Sequence, residues 1–114
     1  MSFKLKYSFR DRIEESTRIL LKYPNKIPII CEKNINSHGV ELNKKKYLIN
    51  PNLMMSEFLS YIRKKLDINQ NTALFLSIGD VIPPNTSTMG VLYEVYKNMD
   101  GYLYISYSLE NTFG

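Results

Sequence analysis

One amphipathic helix constrains the fold of this chain more than any other feature of its sequence. Apolar side chains recur at spacings of three and four residues at Met55, Phe58, Leu59, Ile62 and Leu66. Residues with these spacings lie on one face of an α-helix and form a single apolar stripe. The basic run 63–65 stands at the end of the stripe, where cations complement the helix dipole. Such a helix needs an apolar partner surface, which the rest of the chain must supply.

Four short segments have the composition of β-strands and predict that partner surface. They are residues 27–32, 45–49, 73–78 and 102–108. Leu103, Ile105 and Tyr107 alternate along the last strand, so they fall on one side of it. Proline cannot donate to a β-ladder, so Pro28 is expected at a strand start or on an exposed side.

Three further helices are predicted. The longest covers residues 9–22. Ser8 and Asp11 have capping-box spacing at its start, and the dipeptide 23–24 ends it, because the residue before proline disfavours helix. Its inward stripe is predicted at Phe9, Ile13, Ser16 and Leu20. A short helix or arm is predicted within residues 2–7. Another short helix is predicted from Met89, Leu92, Tyr93 and Tyr96.

The order of these elements predicts an α+β fold. A hairpin, a crossing helix and two later strands make a mixed sheet wrapped around one helix, as in a ubiquitin-like β-grasp. The 114 residues suit one globular unit. Within that unit, residues 1–24 are predicted to be an N-terminal helical extension and residues 25–114 a ubiquitin-like domain with a C-terminal tail.

Composition excludes several classes of protein. One cysteine, Cys31, permits no internal disulfide and suits a reducing compartment, so a cytoplasmic location is expected. No apolar run approaches the roughly 20 residues that span a bilayer, and no secretion signal follows the N-terminus. The net charge of +4 fits either simple solubility or attraction to an acidic surface. A nucleic-acid-binding motif is absent from the sequence.

The sequence gives little support for an enzyme. His38 is the single histidine and stands in a glycine-containing loop, so it is expected to be solvated. Cys31 stands in an apolar strand, where cysteine is more often a core residue than a nucleophile. No acid–base pair, metal site or cofactor site is predicted.

Several separate motifs resemble those of one family, the autophagy-related ubiquitin-like modifiers of the GABA-receptor-associated and light-chain-three type. The motifs are residues 23–33, 44–48, 62–64, 82–84, 100–104 and 110–114. They occur in the family's order and span the chain from about Tyr7 to Gly114. The resemblance implies a β-grasp fold with two N-terminal helices.

The same resemblance implies a function in autophagosome formation. It implies conjugation of Gly114 to phosphatidylethanolamine, with activating and conjugating enzymes and a deconjugating cysteine protease as partners. It also implies recruitment of cargo receptors and adaptors that carry aromatic-x-x-aliphatic motifs. Lipidation would bring the cytoplasmic protein to the autophagosome or a related organelle membrane.

Two peptide pockets are implied by the resemblance. The first, for an aromatic residue, is implied at Glu15, Ile19, Pro28, Lys46, Leu48 and Tyr102. The second, for an aliphatic residue, is implied at Tyr47, Ile49, Leu53, Phe58 and Tyr61. Lys26 and Lys46 would meet acidic residues that flank such motifs. Helical geometry independently turns Ile19 about 90° from the predicted inward stripe and beside Glu15, which fits either a pocket or simple packing.

Three positions depart from the family pattern. Asn50 stands where proline is usual, which changes the rim of the second pocket. Ser77 replaces an apolar residue of the third strand and weakens any second docking surface there. Lys26 replaces a common arginine, so charge is kept without bidentate pairing.

Lysines 44–46 border the second strand, where they would meet acidic peptides or discourage unwanted strand pairing.

Gly114 by itself fits either a frayed terminus or a conjugation tail. Glycine has no Cβ, so it can enter a narrow enzyme channel and leave its carbonyl open to attack. Because no residue follows Gly114 in this sequence, the tail is expected to be ready for conjugation without further trimming, whether the gene encodes that end or a protease exposes it. The alternative function is an unconjugated ubiquitin-like adaptor in trafficking or at the cytoskeleton.

Overall fold

A computed structural model describes residues 2–111 of the chain and contains four helices and four strands. In chain order they are α1 (Phe3–Lys6), α2 (Phe9–Lys22), β1 (Ile27–Lys33), β2 (Lys46–Ile49), α3 (Met55–Leu66), β3 (Thr72–Ser77), α4 (Met89–Tyr96) and β4 (Leu103–Asn111). Every predicted element is present. In the described part of the chain, no helix has the length and apolarity needed to cross a bilayer.

The four strands form one mixed sheet in the order β2-β1-β4-β3. β1 and β2 are an antiparallel hairpin in which Ile27 pairs with Ile49. β4 lies parallel to β1, with Ile29 beside Leu103, and β3 is antiparallel to β4. Pro28 comes one residue before the β4 pairing begins, so its missing N–H breaks no ladder bond. The predicted β-grasp with two added N-terminal helices is confirmed.

The main core lies between the inner face of the sheet and α3 with α4. α3 buries four residues of the predicted stripe, while Leu59 packs partly buried against them. The alternating residues of β3 and β4 point into the same core, as their spacing predicts. Its fully buried side chains include Ile29, Phe58, Ile62, Met89, Leu103 and Tyr107.

The predicted inward stripe of α2 is wrong for two of its four residues. Ser8 does cap the helix, since its hydroxyl accepts a bond from the Asp11 N–H at 3.1 Å. Phe9 and Ile13, however, are 43% and 38% exposed, whereas Ser16 is 2% exposed. The inward face is set by polar contacts to the sheet, which an apolar stripe does not reveal. Ile19 also points inward and packs against the second cluster described below, whereas the prediction turned it about 90° from the inward stripe.

A second, smaller cluster lies on the outer face of the sheet beneath α1 and α2. Its buried members are Phe3, Ile30 and Tyr102, with Ile19 and Tyr104 packed against them. The rings of Phe3 and Tyr102 meet edge to face at 5.3 Å. α1 is thus held to the sheet through the aromatic ring of its first residue.

Polar groups continue this outer contact, and we call the whole region between α1, α2 and the sheet the seam. The Arg12 guanidinium donates to Asp100 Oδ2 at 2.7 Å, and the Asp100 side chain is 0% exposed. The Ser16 hydroxyl donates to the Asp100 carbonyl at 2.5 Å. Gly101 follows with φ +92°, and a Cβ there would lie 2.5 Å from the Ser16 hydroxyl oxygen. Glycine is therefore required at this turn.

The first turns of α3 and α4 are capped by each other's preceding loops. The Met55 N–H donates to the Ser87 carbonyl at 2.8 Å, just before α4. In return the Met89 N–H donates to the Leu53 carbonyl at 2.8 Å, just before α3. The Gly90 N–H adds a bond to the Pro51 carbonyl at 2.9 Å. Helix N-termini leave free N–H groups, and each loop here satisfies those of the other helix.

β4 is longer than predicted. It pairs with β3 as far as Thr72 and Asn111, so residues 109–111, expected in the tail or just before it, belong to the sheet. β3 begins early enough to supply their partners, which the sequence of β4 alone does not show. The residues 112–114, including Gly114, lie outside the described part of the chain.

Candidate functional site

The residues of the implied first pocket meet on the outer face of the β1–β2 hairpin. Pro28 pairs with Leu48 and Ile30 pairs with Lys46, so these side chains share that face. Glu15 and Ile19 reach the same region from α2. Pro28 and Tyr102 are fully buried, whereas Leu48 is 38% exposed. Buried residues therefore form the floor, and Leu48 is the accessible apolar side chain.

An ion pair joins α2 to β2 across this region. The Lys46 ammonium lies 2.5 Å from Glu15 Oε1, and the two side chains remain 39% and 32% exposed. The Tyr102 hydroxyl donates to the same Glu15 oxygen. Burial alone would raise the pKa of Glu15, but bonds from Lys46 and Tyr102 outweigh it and lower that pKa. Burial, together with Glu15, raises the pKa of Tyr102. At neutral pH Glu15 is therefore a carboxylate and Tyr102 a neutral phenol.

The residues of the implied second pocket gather on the other side of β2, where the sheet meets α3. The Tyr47 ring packs edge to face against Phe58 at 6.1 Å and against Tyr61 at 5.9 Å. Tyr47 and Phe58 belong to the core, while Tyr61 is 39% exposed. Ile49 and Leu53 pack partly buried against the core. Burial raises the pKa of Tyr47 to about 12, so its ring stays neutral.

Asn50 rebuilds the rim where the family usually has proline. Its side-chain oxygen accepts a bond from the Asn52 N–H at 2.9 Å, and its carbonyl accepts from the Leu53 N–H at 3.0 Å. These bonds hold a compact turn. Leu53 therefore remains beside the second group despite the changed sequence.

The structure separates the two implied lysines. Lys46 pairs with Ile30, whereas Lys26 precedes Ile27 at the other end of the hairpin. Lys26 instead lines a groove of about 480 Å³ together with Pro51 and Glu94. A flanking acidic residue of one peptide would therefore meet one lysine or the other, depending on which side of the motif it occupies.

Between the two groups, β2 is an edge strand with a free backbone side. The Cys31 N–H donates to the Lys45 carbonyl, so the odd-numbered residues of β2 face β1. Antiparallel pairing alternates along the strand, which leaves the backbone groups of Lys46 and Leu48 on the free side. An extended peptide can pair with those groups and lay its side chains toward both pockets.

Sequence reasoning missed two aromatic residues of this site. Phe3 lies against Tyr102, and the Lys46 ammonium stands 5.6 Å from the Phe3 ring centroid. Tyr104 packs beside them and receives the Lys4 ammonium at 4.4 Å. The available signal was the pair Tyr102 and Tyr104, whose even-numbered positions place both rings on the outer face of the sheet. Aromatic rings there indicate that another element, here α1 with Phe3, covers them.

The two residues weighed above as catalytic candidates, Cys31 and His38, differ in their exposure. Cys31 is 0% exposed, and burial raises its pKa to about 12. His38 is exposed in the β1–β2 loop, as expected. No group of three or more potential metal ligands occurs in the described residues 2–111.

Ser77 is half-buried next to an exposed Phe75, so β3 has one aromatic side chain on its outer face.

Comparison with known proteins gives one consistent result. The model of the family described as "Autophagy protein Atg8 ubiquitin like" matches residues 11–114. Autophagy-related protein 8 of Schizosaccharomyces pombe is 45% identical over 112 residues, which cover 98% of this chain and 93% of that protein.

Solved structures agree with the sequence relatives. Trypanosoma brucei ATG8 superposes with a TM-score of 0.90 at 35% identity, covering 100% of this chain and 98% of that one. Plasmodium falciparum Atg8 in complex with a Plasmodium falciparum Atg3 peptide has a TM-score of 0.87 at 32% identity, covering 95% of each chain. Fold, sequence and arrangement of the hairpin thus point to one family, and this chain belongs to the Atg8 family of ubiquitin-like autophagy proteins.

Proposed function

We propose that this protein is conjugated through Gly114 to phosphatidylethanolamine and, on the autophagosome membrane, recruits proteins that carry aromatic-x-x-aliphatic motifs. The observation that carries the recruitment function is the free edge of β2, with Leu48 on its outer side and the Tyr47–Tyr61 group on its inner side. Unconjugated action as a trafficking or cytoskeletal adaptor is the alternative.

The peptide binds by extending the sheet. Backbone bonds to Lys46 and Leu48 supply affinity that does not depend on sequence. The aromatic residue packs over Leu48 and Ile19, and the aliphatic residue enters beside Leu53 and Tyr61. Acidic residues that precede the motif approach Lys46, which must then share its charge between the peptide and Glu15.

The tail supplies the conjugation chemistry. The Gly114 carboxylate is adenylated by an activating enzyme and passed as a thioester to the cysteine of a conjugating enzyme. The amine of phosphatidylethanolamine then attacks the thioester carbonyl, releases the thiol and forms an amide. Glycine leaves that carbonyl unhindered. The Plasmodium relative bound to an Atg3 peptide supports contact with conjugating enzymes. A deconjugating cysteine protease would reverse the reaction.

Reconstituted conjugation tests the attachment. The protein is incubated with activating and conjugating enzymes, ATP and phosphatidylethanolamine liposomes, and the product is identified by its mass. Wild type is expected to gain one lipid and Gly114→Ala to gain far less. If wild type stays unmodified, or if Gly114→Ala is lipidated equally well, conjugation through Gly114 is rejected and the unconjugated adaptor becomes the better hypothesis.

Peptide titration tests the groove separately. A Trp-x-x-Leu peptide is titrated into wild type and Leu48→Ala, and the expected loss is roughly tenfold, the effect of about 1.4 kcal/mol. Ile19→Ala is expected to weaken binding less, since that side chain is partly covered by the Phe3 cluster. Val91→Ala, which removes an exposed apolar side chain of α4, is the matched control. Equal affinities for Leu48→Ala and the control would remove the first pocket from the proposal.

A further inference from the structure

Two loops and the end of β4 meet at one end of the molecule, which we call the tail end. It consists of residues 34–41 after β1, residues 67–71 after α3, and the last residues of β4. The Leu109 N–H donates to the Ser37 hydroxyl at 3.0 Å, which ties the first loop to β4. Both loops line one shallow hollow of about 330 Å³ together with Glu110.

The last turn of α3 is fixed to the same end. The Arg63 guanidinium donates to the Thr72 carbonyl at 2.9 Å and to the Asn69 carbonyl at 3.1 Å. Thr72 pairs with Asn111, the last residue of β4. The neighbouring lysines 64 and 65 are exposed.

The tail end also presents the most exposed large apolar side chain in the described part of the chain. Ile35 is 95% exposed, and Val40 in the same loop is 56% exposed. The Tyr107 hydroxyl donates to the Val40 carbonyl at 2.9 Å and holds this loop against β4. The loop is anchored at its base while Ile35 remains in solvent.

Chain length limits how far this end can lie from an attached lipid. Gly114 is three residues after Asn111 in the sequence. A fully extended chain spans at most about 3.6 Å per residue, so three residues reach no more than roughly 11 Å. A lipid headgroup joined to the Gly114 carbonyl brings the bilayer surface to the tail end.

We propose that the tail end is a membrane-contacting surface of the lipidated protein, with Ile35 entering the headgroup boundary and Lys64 and Lys65 facing anionic headgroups. This inference rests on the proposed lipid conjugation. It adds an orientation: the β1–β2 hairpin starts at the opposite end, so its Lys26 end points away from the bilayer.

Local charge identifies the kind of lipid. Among the described residues, no carboxylate oxygen lies within 4.0 Å of the Lys64 or Lys65 ammonium, whereas Lys33 pairs with Glu41 at 3.8 Å. The Lys65 ammonium has an exposed aromatic neighbour, the Tyr61 ring, at 5.4 Å from its centroid. Asp67 and Glu110 line the hollow itself. The two lysines therefore carry the attraction to anionic lipid, and each is expected to favour contact roughly fivefold.

Chemical tethering tests this surface without the conjugation enzymes. Gly114→Cys is coupled to maleimide-headgroup phosphatidylethanolamine in nanodiscs, and the buried Cys31 stays unreactive. Spin-labelled lipid then broadens amide signals near the bilayer in the NMR spectrum. The strongest broadening is expected at residues 34–40 and 64–71, on discs that contain phosphatidylserine.

Variants separate contact from mere proximity to the tether. Ile35→Ser is expected to lower broadening of the first loop on every disc. Lys64→Glu is expected to lower broadening of the α3 end severalfold on phosphatidylserine discs and not on neutral phosphatidylcholine discs. Val91→Ser and Lys22→Glu, which change a valine and a lysine far from the tail end in sequence, are matched controls.

Two results would overturn the inference. One is broadening centred on another face, such as the outer face of β3 with Phe75. The other is a pattern at the tail end that neither Ile35→Ser nor Lys64→Glu changes, which would mean that the tether alone holds that end near the lipid. Because the coupling is chemical, neither result depends on whether enzymes conjugate Gly114.

Discussion

The two faces of the sheet are covered in physically different ways. The inner face packs against α3 and α4 in a continuous apolar core that contains Phe58 and Ile62. The outer face meets α1 and α2 through a small aromatic cluster and a set of buried polar groups, among them Asp100 and Ser16. Apolar contact works at any orientation, whereas buried hydrogen bonds require particular partners.

The candidate peptide site, on both sides of β2, lies at the boundary between these two kinds of contact. The residues implied for the second pocket border the apolar core, and those implied for the first border the seam, where Glu15 and Lys46 form an ion pair. We expect the core side to set the stability of the fold. We expect the seam side to set how α2 sits on the hairpin.

Phe58→Ala should have the largest effect, because it opens a cavity in the apolar core. The expected loss is about 3–5 kcal/mol of unfolding free energy. Urea unfolding followed by circular dichroism measures it. A loss below about 1 kcal/mol would mean that the inner face does not dominate stability.

Arg12→Met should cost less, about 2 kcal/mol, because it leaves Asp100 without its charged partner. The Arg12 side chain is 12% exposed, so water replaces part of the lost interaction. A double-mutant cycle with Asp100→Asn should give a coupling free energy of about 1 kcal/mol or more. Additive effects would contradict a specific polar seam.

Tyr102→Phe should change stability by about 1 kcal/mol or less while altering a titration. It removes one of the two hydrogen bonds that lower the pKa of Glu15, so that pKa should rise toward its ordinary value of 4.5. In wild type the lowered pKa contributes stability above pH 4.5, which is lost as pH falls through the folded pKa. NMR titration of the Glu15 carboxyl should find a higher pKa in the variant, and an unchanged pKa would refute the role of the hydroxyl.

Ile13→Ser should have the smallest effect, within about 0.5 kcal/mol, because the side chain is at the surface. The apolar stripe of α2 predicts the opposite, a core residue whose loss costs several times more. The same urea measurement decides between the stripe and the polar inward face.

The sequence predicted the core side of the fold better than the seam. Apolar spacing reports burial directly, so the stripe of α3 and the alternation of β4 were both confirmed. In α2 the same reasoning failed at Phe9 and Ile13, because Arg12 and Ser16 face inward through bonds to Asp100. Those partners are far apart in sequence, and no local pattern joins them.

The candidate site followed a similar division. The resemblance named residues that the structure does gather on two sides of β2, apart from Lys26. Phe3 was missed because α1 has four residues and too little periodicity to show an inward face. The extension of β4 to Asn111 was missed because the length of a strand depends on its partner strand. The partner of Asn111 is Thr72, which lies 39 residues earlier in the sequence.

Because α3 and α4 cap each other, two segments that lie far apart in sequence shape the rim of the implied second pocket. Leu53 is one of the residues implied for that pocket, its carbonyl accepts a hydrogen bond from the Met89 N–H, and a Cβ at Gly90 would stand 2.8 Å from the Pro51 side chain. If the proposed pocket binds peptides, substitutions in the first turn of α4 are therefore expected to change peptide preference by moving the loop that carries Leu53. A side chain at position 90 would push against Pro51 and so change the shape of this rim without replacing any of the residues implied for the pocket.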